Sequence, residues 1–134
     1  MNRVRTVTAA ALLLVAAPAL AGCAAGGGAE TAAMCSTFEQ AGGTLATIGP
    51  VSMWVPKEDL LASVTAKLDA MGDSTPPADI ADSWDAVKTH YESILEEAEA
   101  LPAGGTLTGS ELLQEATTMT EHTTAVAGFI SDNC

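Results

Sequence analysis

IADSWDAVKTHYESILEEAEAL, residues 80–101, is the stretch on which the fold turns. Within it Ile80, Trp84, Val87, Tyr91, Ile94, Ala98 and Leu101 recur at alternating steps of four and three. That spacing lays apolar side chains along one stripe of an α-helix. Asp82, Asp85, Glu92, Glu96, Glu97 and Glu99 fall on the other faces and read as solvated surface. Thr75 is placed to cap this helix, with Pro76 just inside it and Asp79 in or near the first turn. Pro102 and Gly104-Gly105 close it.

Working outward, three more segments carry the same period. Upstream, Leu60, Val64, Leu68 and Met71 line one face of a helix that opens at Pro56 and stops at Gly72. Glu58 and Asp59 suit the positive end of its dipole. Further upstream, Met34, Phe38, Ala41, Leu45 and Ile48 predict a helix that runs to Gly49-Pro50. Gly42-Gly43 is its weak point, where a kink or a close helix contact belongs. Downstream, Leu112, Ala116, Met119, Thr123, Val126 and Ile130 repeat the stripe behind a capping box of Thr108 and Glu111. No segment alternates with period two, so no sheet is expected. The expectation is an all-α fold, a small antiparallel four-helix bundle over residues 34–134 running up, down, up, down.

The 134 residues suffice for one domain. Five basic residues stand against seventeen acidic ones, for a formal charge of −12. That balance excludes a basic nucleic-acid module, which needs Lys and Arg for phosphate contacts. A multi-span membrane protein is excluded too, because the chain has one long apolar run, at its N-terminus.

That run has a specific grammar. Arg3 and Arg5 precede a stretch from Val7 to Leu20 that is almost wholly Ala, Leu and Val. It is too short for a spanning helix of roughly 20 apolar residues. Leu20-Ala21-Gly22-Cys23 follows, and it resembles the lipobox of bacterial lipoprotein precursors. The resemblance implies cleavage between Gly22 and Cys23, removing residues 1–22, and a diacylglyceryl thioether on Cys23. It implies a protein held on the extracytoplasmic face of the cell membrane by that lipid. Residues 23–33, with Gly26-Gly27-Gly28, then read as lipidated cysteine and tether. The abundance of Ala, Thr and Gly beside few Lys accords with a high-GC host such as an actinomycete.

Both arginines leave with the signal, so Lys57, Lys67 and Lys88 face all seventeen carboxylates. With Cys23 lipidated, Cys35 and Cys134 remain in an oxidising compartment, where an even pair reads as a disulfide. In the expected topology they lie at the same end of the bundle.

His90 and His122 are the only histidines. Each precedes a stripe position, and a hairpin turning near Gly105 would bring them face to face on one flank. A zinc site needs more ligands than these two, and neither has Asp, Glu, His or Cys three or four residues away. They read as surface-flanking residues, with a ligand or metal role as the sharper alternative. Met53, Trp54 and Val55 form an apolar patch between two helices. It suits a docking site, since aromatics anchor interfaces, or a plug folded over the bundle end.

No nucleophile motif is visible, and Ser63 is followed by Lys67 at the wrong spacing for a Ser-x-x-Lys pair. The Gly-rich stretches lack a P-loop lysine. The sequence therefore predicts a non-catalytic, lipid-anchored envelope protein without a cofactor, binding a protein or envelope component. The alternative is a carrier or sensor of a small ligand or metal, using the bundle interior or the His90/His122 flank.

Overall fold

The computed structural model describes residues 28–108 and 111–134. The signal segment 1–22, the lipobox and Cys23 lie outside the described residues, as does the middle of the Thr108–Glu111 box. Four helices follow one another: α1 (Ala29–Gln40), α2 (Lys57–Gly72), α3 (Ala81–Ala100) and α4 (Glu111–Asn133). One 3-10 turn, Leu45–Ile48, lies between α1 and α2. Among the described residues there is no strand, and the helices pack as a small bundle.

Two helix boundaries differ from the sequence reading. The helix expected from Met34 to Ile48 stops at Gln40, because Gly42 takes a φ of 83°. Gly42 N–H then donates to Glu39 O and Gly43 N–H to Phe38 O. Those two bonds satisfy the carbonyls of the last turn in a Schellman arrangement. At its other end α1 begins at Ala29, inside the 23–33 stretch read as tether. The third helix starts at Ala81, with Ile80 as its cap, rather than at Thr75 and Pro76. Pro76-Pro77 explains the delay: Pro77 disfavours the helical conformation at Pro76 and has no N–H of its own. Ile80 N–H instead closes a turn onto Pro77 O.

The stripe on α3 is buried as read: Trp84, Val87, Tyr91, Ile94 and Ala98 all lie in the core. Trp84 meets Phe38 of α1 edge to face, with ring centroids 5.9 Å apart. On α2 the core face holds Leu60, Val64, Lys67, Ala70 and Met71, so Lys67 is inside and Leu68 only half-buried.

Side-chain contacts set the helix directions. Lys57 reaches Leu101 and Lys67 lies over Tyr91, an antiparallel α2/α3 pair. Ser83 meets His122 and His90 meets Glu115, an antiparallel α3/α4 pair. Lys57 Nζ donates to Glu99 O and Leu101 O, at 2.7 and 2.6 Å, closing the C-terminus of α3. A cation there opposes the negative end of the helix dipole.

Cys35 and Cys134 are joined as a disulfide, with Cα atoms 5.3 Å apart and a sequence separation of 99. The bond ties α1 to the last residue of the chain. Loop-closure entropy for about 100 residues corresponds to about 4.7 kcal/mol in the chain-entropy model.

Candidate binding cleft

The α4 stripe is sealed at its ends and open in its middle. Leu112, Val126 and Ile130 are buried, whereas Ala116, Met119 and Thr123 are half-buried. Because α1 ends early, a full-length first helix does not cover that middle section. The connection from Gly49 to Met53 crosses there instead. It leaves a cleft of about 270 Å³ walled by this connection, by His90 and Tyr91 of α3, and by α4 from Ala116 to Thr124.

The roof of the cleft is pinned by Lys67 and Tyr91. Lys67 Nζ donates to Thr47 O at 2.7 Å and to Gly49 O at 3.0 Å. The same ammonium lies 5.4 Å from the centroid of the Tyr91 ring, within cation–π range. Tyr91 Oη donates to Gly49 O at 3.0 Å. Burial pushes the Tyr91 phenol up to about 12 and lowers the Lys67 ammonium from its ordinary value. Both shifts have one cause: the charged form of each group is poorly solvated here.

On the floor, His90 is only 8% exposed, and its Nδ1 has no hydrogen-bond partner. The carboxylate of Glu115 lies 3.6 Å away, beyond hydrogen-bonding distance. This corrects the reading of His90 as a surface-flanking residue. The two histidines also do not meet. His122 is half-buried and its Nδ1 lies 3.1 Å from Ser83 Oγ, seven residues before His90 on α3. The expected pairing fails because residues 101–108 follow another path than a tight turn at Gly105. Gly105 O accepts from Lys57 N–H, Gly104 N–H donates to Glu58 Oε1, and Leu107 turns into the core. This path slides α4 two turns along α3. The bonds from Glu58's own backbone and from Gly104 hold its carboxyl below the ordinary carboxylate range.

The Met53-Trp54-Val55 patch divides. Met53 is buried and lines the cleft, Val55 is half-buried, and Trp54 is 67% exposed. Trp84 belongs to the core rather than the cleft. Among the described residues no group of three or more His, Cys, Asp or Glu side chains is arranged to hold a metal ion. No described helix is long and apolar enough to cross a membrane.

Lys67, Glu115, Thr120 and Thr124 were not read from the sequence as site residues. For Lys67 a signal existed: Leu60, Val64, Lys67 and Met71 keep the four-three period, so a lysine stands where the stripe demands an apolar residue. Glu115 and the threonines carry no such signal, since their role depends on the slide of α4. No family model matches the chain, and no curated protein or solved structure is significantly similar to it.

Proposed function

We propose that this protein is a non-catalytic binding module of the bacterial cell envelope. Lipid on Cys23 holds it at the extracytoplasmic face of the membrane, and it takes its partner, a protein or envelope component, at the cleft beside His90. One observation carries the binding reading: the bundle leaves an open, mostly apolar cleft, lined in part by His90, a buried side chain whose Nδ1 has no hydrogen-bond partner. The hydroxyls of Thr120 and Thr124 donate to Ala116 O and Thr120 O, an arrangement that suits binding rather than nucleophilic attack. The anchoring reading rests on Leu20-Ala21-Gly22-Cys23.

The concave, mostly apolar form of the cleft supports a second reading, a carrier of ligands of a few heavy atoms. About 270 Å³ lies just under the range of about 300–1,000 Å³ usual for small-molecule sites. A photo-reactive residue at Thr124, compared with one at exposed Ser63 on α2, tests the site in intact cells. The proposal expects a discrete adduct from position 124 alone, a macromolecule under the first reading and a small mass increment under the second. Equal labelling from both positions contradicts a binding role for the cleft. Release of the Cys23→Ala variant from membranes tests the anchor separately.

A further inference from the structure

We infer that a groove along α4, of which the cleft is one end, holds a single acyl chain of a membrane lipid. This rests on the cleft being a binding site and on the anchor at Cys23, and it adds the class of molecule that enters. The cleft does not stand alone. A second hollow of about 470 Å³ shares Gly49, Pro50, Thr123 and Thr124 with it, and a third of about 420 Å³ shares Leu45 and Ser131 with the second. Together they follow α4 beside the connection from Gly43 to Met53, with Ala116 at one end and Cys134 at the other. At about 1.5 Å per residue, the stretch from Ala116 to Ser131 is about 22 Å long. The hydrocarbon core of a bilayer, about 30 Å, is two acyl chains deep, so one chain needs about 15 Å.

Charge narrows the occupant. After Cys23 the sequence holds seventeen carboxylates and three lysines. The three hollows take one carboxylate side chain, Glu39 at the Cys134 end, and no lysine. So long an uncharged strip on so acidic a molecule matches an occupant that is itself uncharged along its length. Leu45 lines both outer hollows and is 51% exposed, an apolar side chain left in water until something lies against it. Gly128 keeps the second hollow open, with nothing within 4 Å of where a Cβ would stand. The source of the chain follows from the path to Cys23. That residue lies five positions before Gly28, at most about 18 Å of extended backbone. From Ala29, α1 rises about 9 Å to Cys35, whose Cα is 5.3 Å from that of Cys134. The Cys134 end of the groove therefore stays near the bilayer that carries the anchor. An acyl chain from that bilayer enters there and ends against Met53 and Met119 in the cleft.

The test uses the full chain as recovered from expressing cells, in phosphatidylcholine nanodiscs, seated by its lipid if it carries one and mixed with them if it does not. The nanodiscs contain a phosphatidylcholine with a diazirine at the methyl end of one acyl chain. After irradiation, adducts are located by fragmentation of the digested protein. They are expected on the peptides that hold Met53 and Met119, at the end of the groove far from Cys134. Gly128→Trp fills the open space over that residue, and Leu45→Glu sets a charge where the outer hollows meet. Each is expected to cut the labelling about tenfold, the equivalent of about two buried methylenes. Thr118→Trp, exposed on α4 and outside the hollows, is expected to label as the unaltered chain does. Melting temperature is expected to be the same in all three variants. Labelling undiminished in both groove variants overturns the inference, and so does an absence of adducts at the cleft. A macromolecular adduct from position 124 without any lipid adduct keeps the cleft a binding site and overturns the acyl chain alone. Adducts on a chain that carries no lipid support the groove and overturn the anchor.

Discussion

Lys67 and Tyr91 share one acceptor, the carbonyl oxygen of Gly49, each donating to it from 3.0 Å. The two residues come from neighbouring helices and hold the same point of the connection that roofs the cleft. Removing either donor leaves Gly49 O with a partner, and removing both orphans it. Tyr91→Phe is expected to cost about 0.5–1.5 kcal/mol, and Lys67→Met, which breaks charged bonds to two carbonyls, about 1.5–3 kcal/mol. The double variant is expected to lose more than the sum, by about 0.5 kcal/mol or more. Denaturant melts of the four proteins check this; simple additivity contradicts the shared acceptor.

Tyr91 is the only tyrosine in the chain, so tyrosinate absorbance reports on it alone. The folded protein is expected to ionise at about 12 and the unfolded protein near the ordinary value of about 10. A raised folded value means that the native state keeps its proton longer. Its stabilising contribution is complete below about pH 10 and is lost as pH climbs through about 12. Lys67 acts in the opposite sense, because its lowered folded value relieves a buried charge as it deprotonates. The absorbance titration separates the two where a stability curve would not. Half-ionisation near 10 in the folded protein would show the phenol to be solvated.

The two tryptophans divide between core and surface, with Trp84 1% exposed and Trp54 67% exposed. Iodide is expected to quench only the Trp54 component of the fluorescence. Trp84→Ala is expected to cost about 3–5 kcal/mol, as large core truncations do. Trp54→Ala is expected to stay within about 0.5 kcal/mol. Equal effects of the two substitutions contradict the register of α3.

Gly43 closes α1 where no side chain fits. A Cβ there would lie 2.5–2.6 Å from ring atoms of Phe38, and that ring is backed by Trp84. Gly43→Ala is expected to cost about 1–3 kcal/mol, the usual price of overpacking. Phe38→Leu in the same background should recover part of the loss, and thermal melts of the two proteins test that ordering.

The α3 stripe was legible because local periodicity alone decides it, and the disulfide because so few cysteines were left to pair. The end of α1 was half legible: Gly42-Gly43 was marked as weak, but the positive φ of Gly42 that makes it a stop, and the Phe38 ring packed beneath Gly43, carry no sequence pattern of their own. His90 was located as a candidate without its partner. Its neighbour depends on how residues 101–108 dock against the start of α2, through Lys57, Glu58, Gly104 and Gly105. Those bonds join groups distant in sequence, one of them backbone to backbone and the other a backbone N–H to the Glu58 carboxylate, and no short-range pattern announces them. The cleft was illegible for a related reason, since it exists only because α1 ends early and Lys67 draws the Gly49 connection across the bundle.

The central claim is a binding module carried by lipid on Cys23. The most direct measurement is the intact mass of the protein extracted from membranes of cells expressing the full chain. The account predicts a chain that begins at Cys23, heavier than its sequence by a diacylglyceryl group, with Cys35 and Cys134 oxidised. A chain that begins elsewhere, or a Cys23 without added mass, would contradict it.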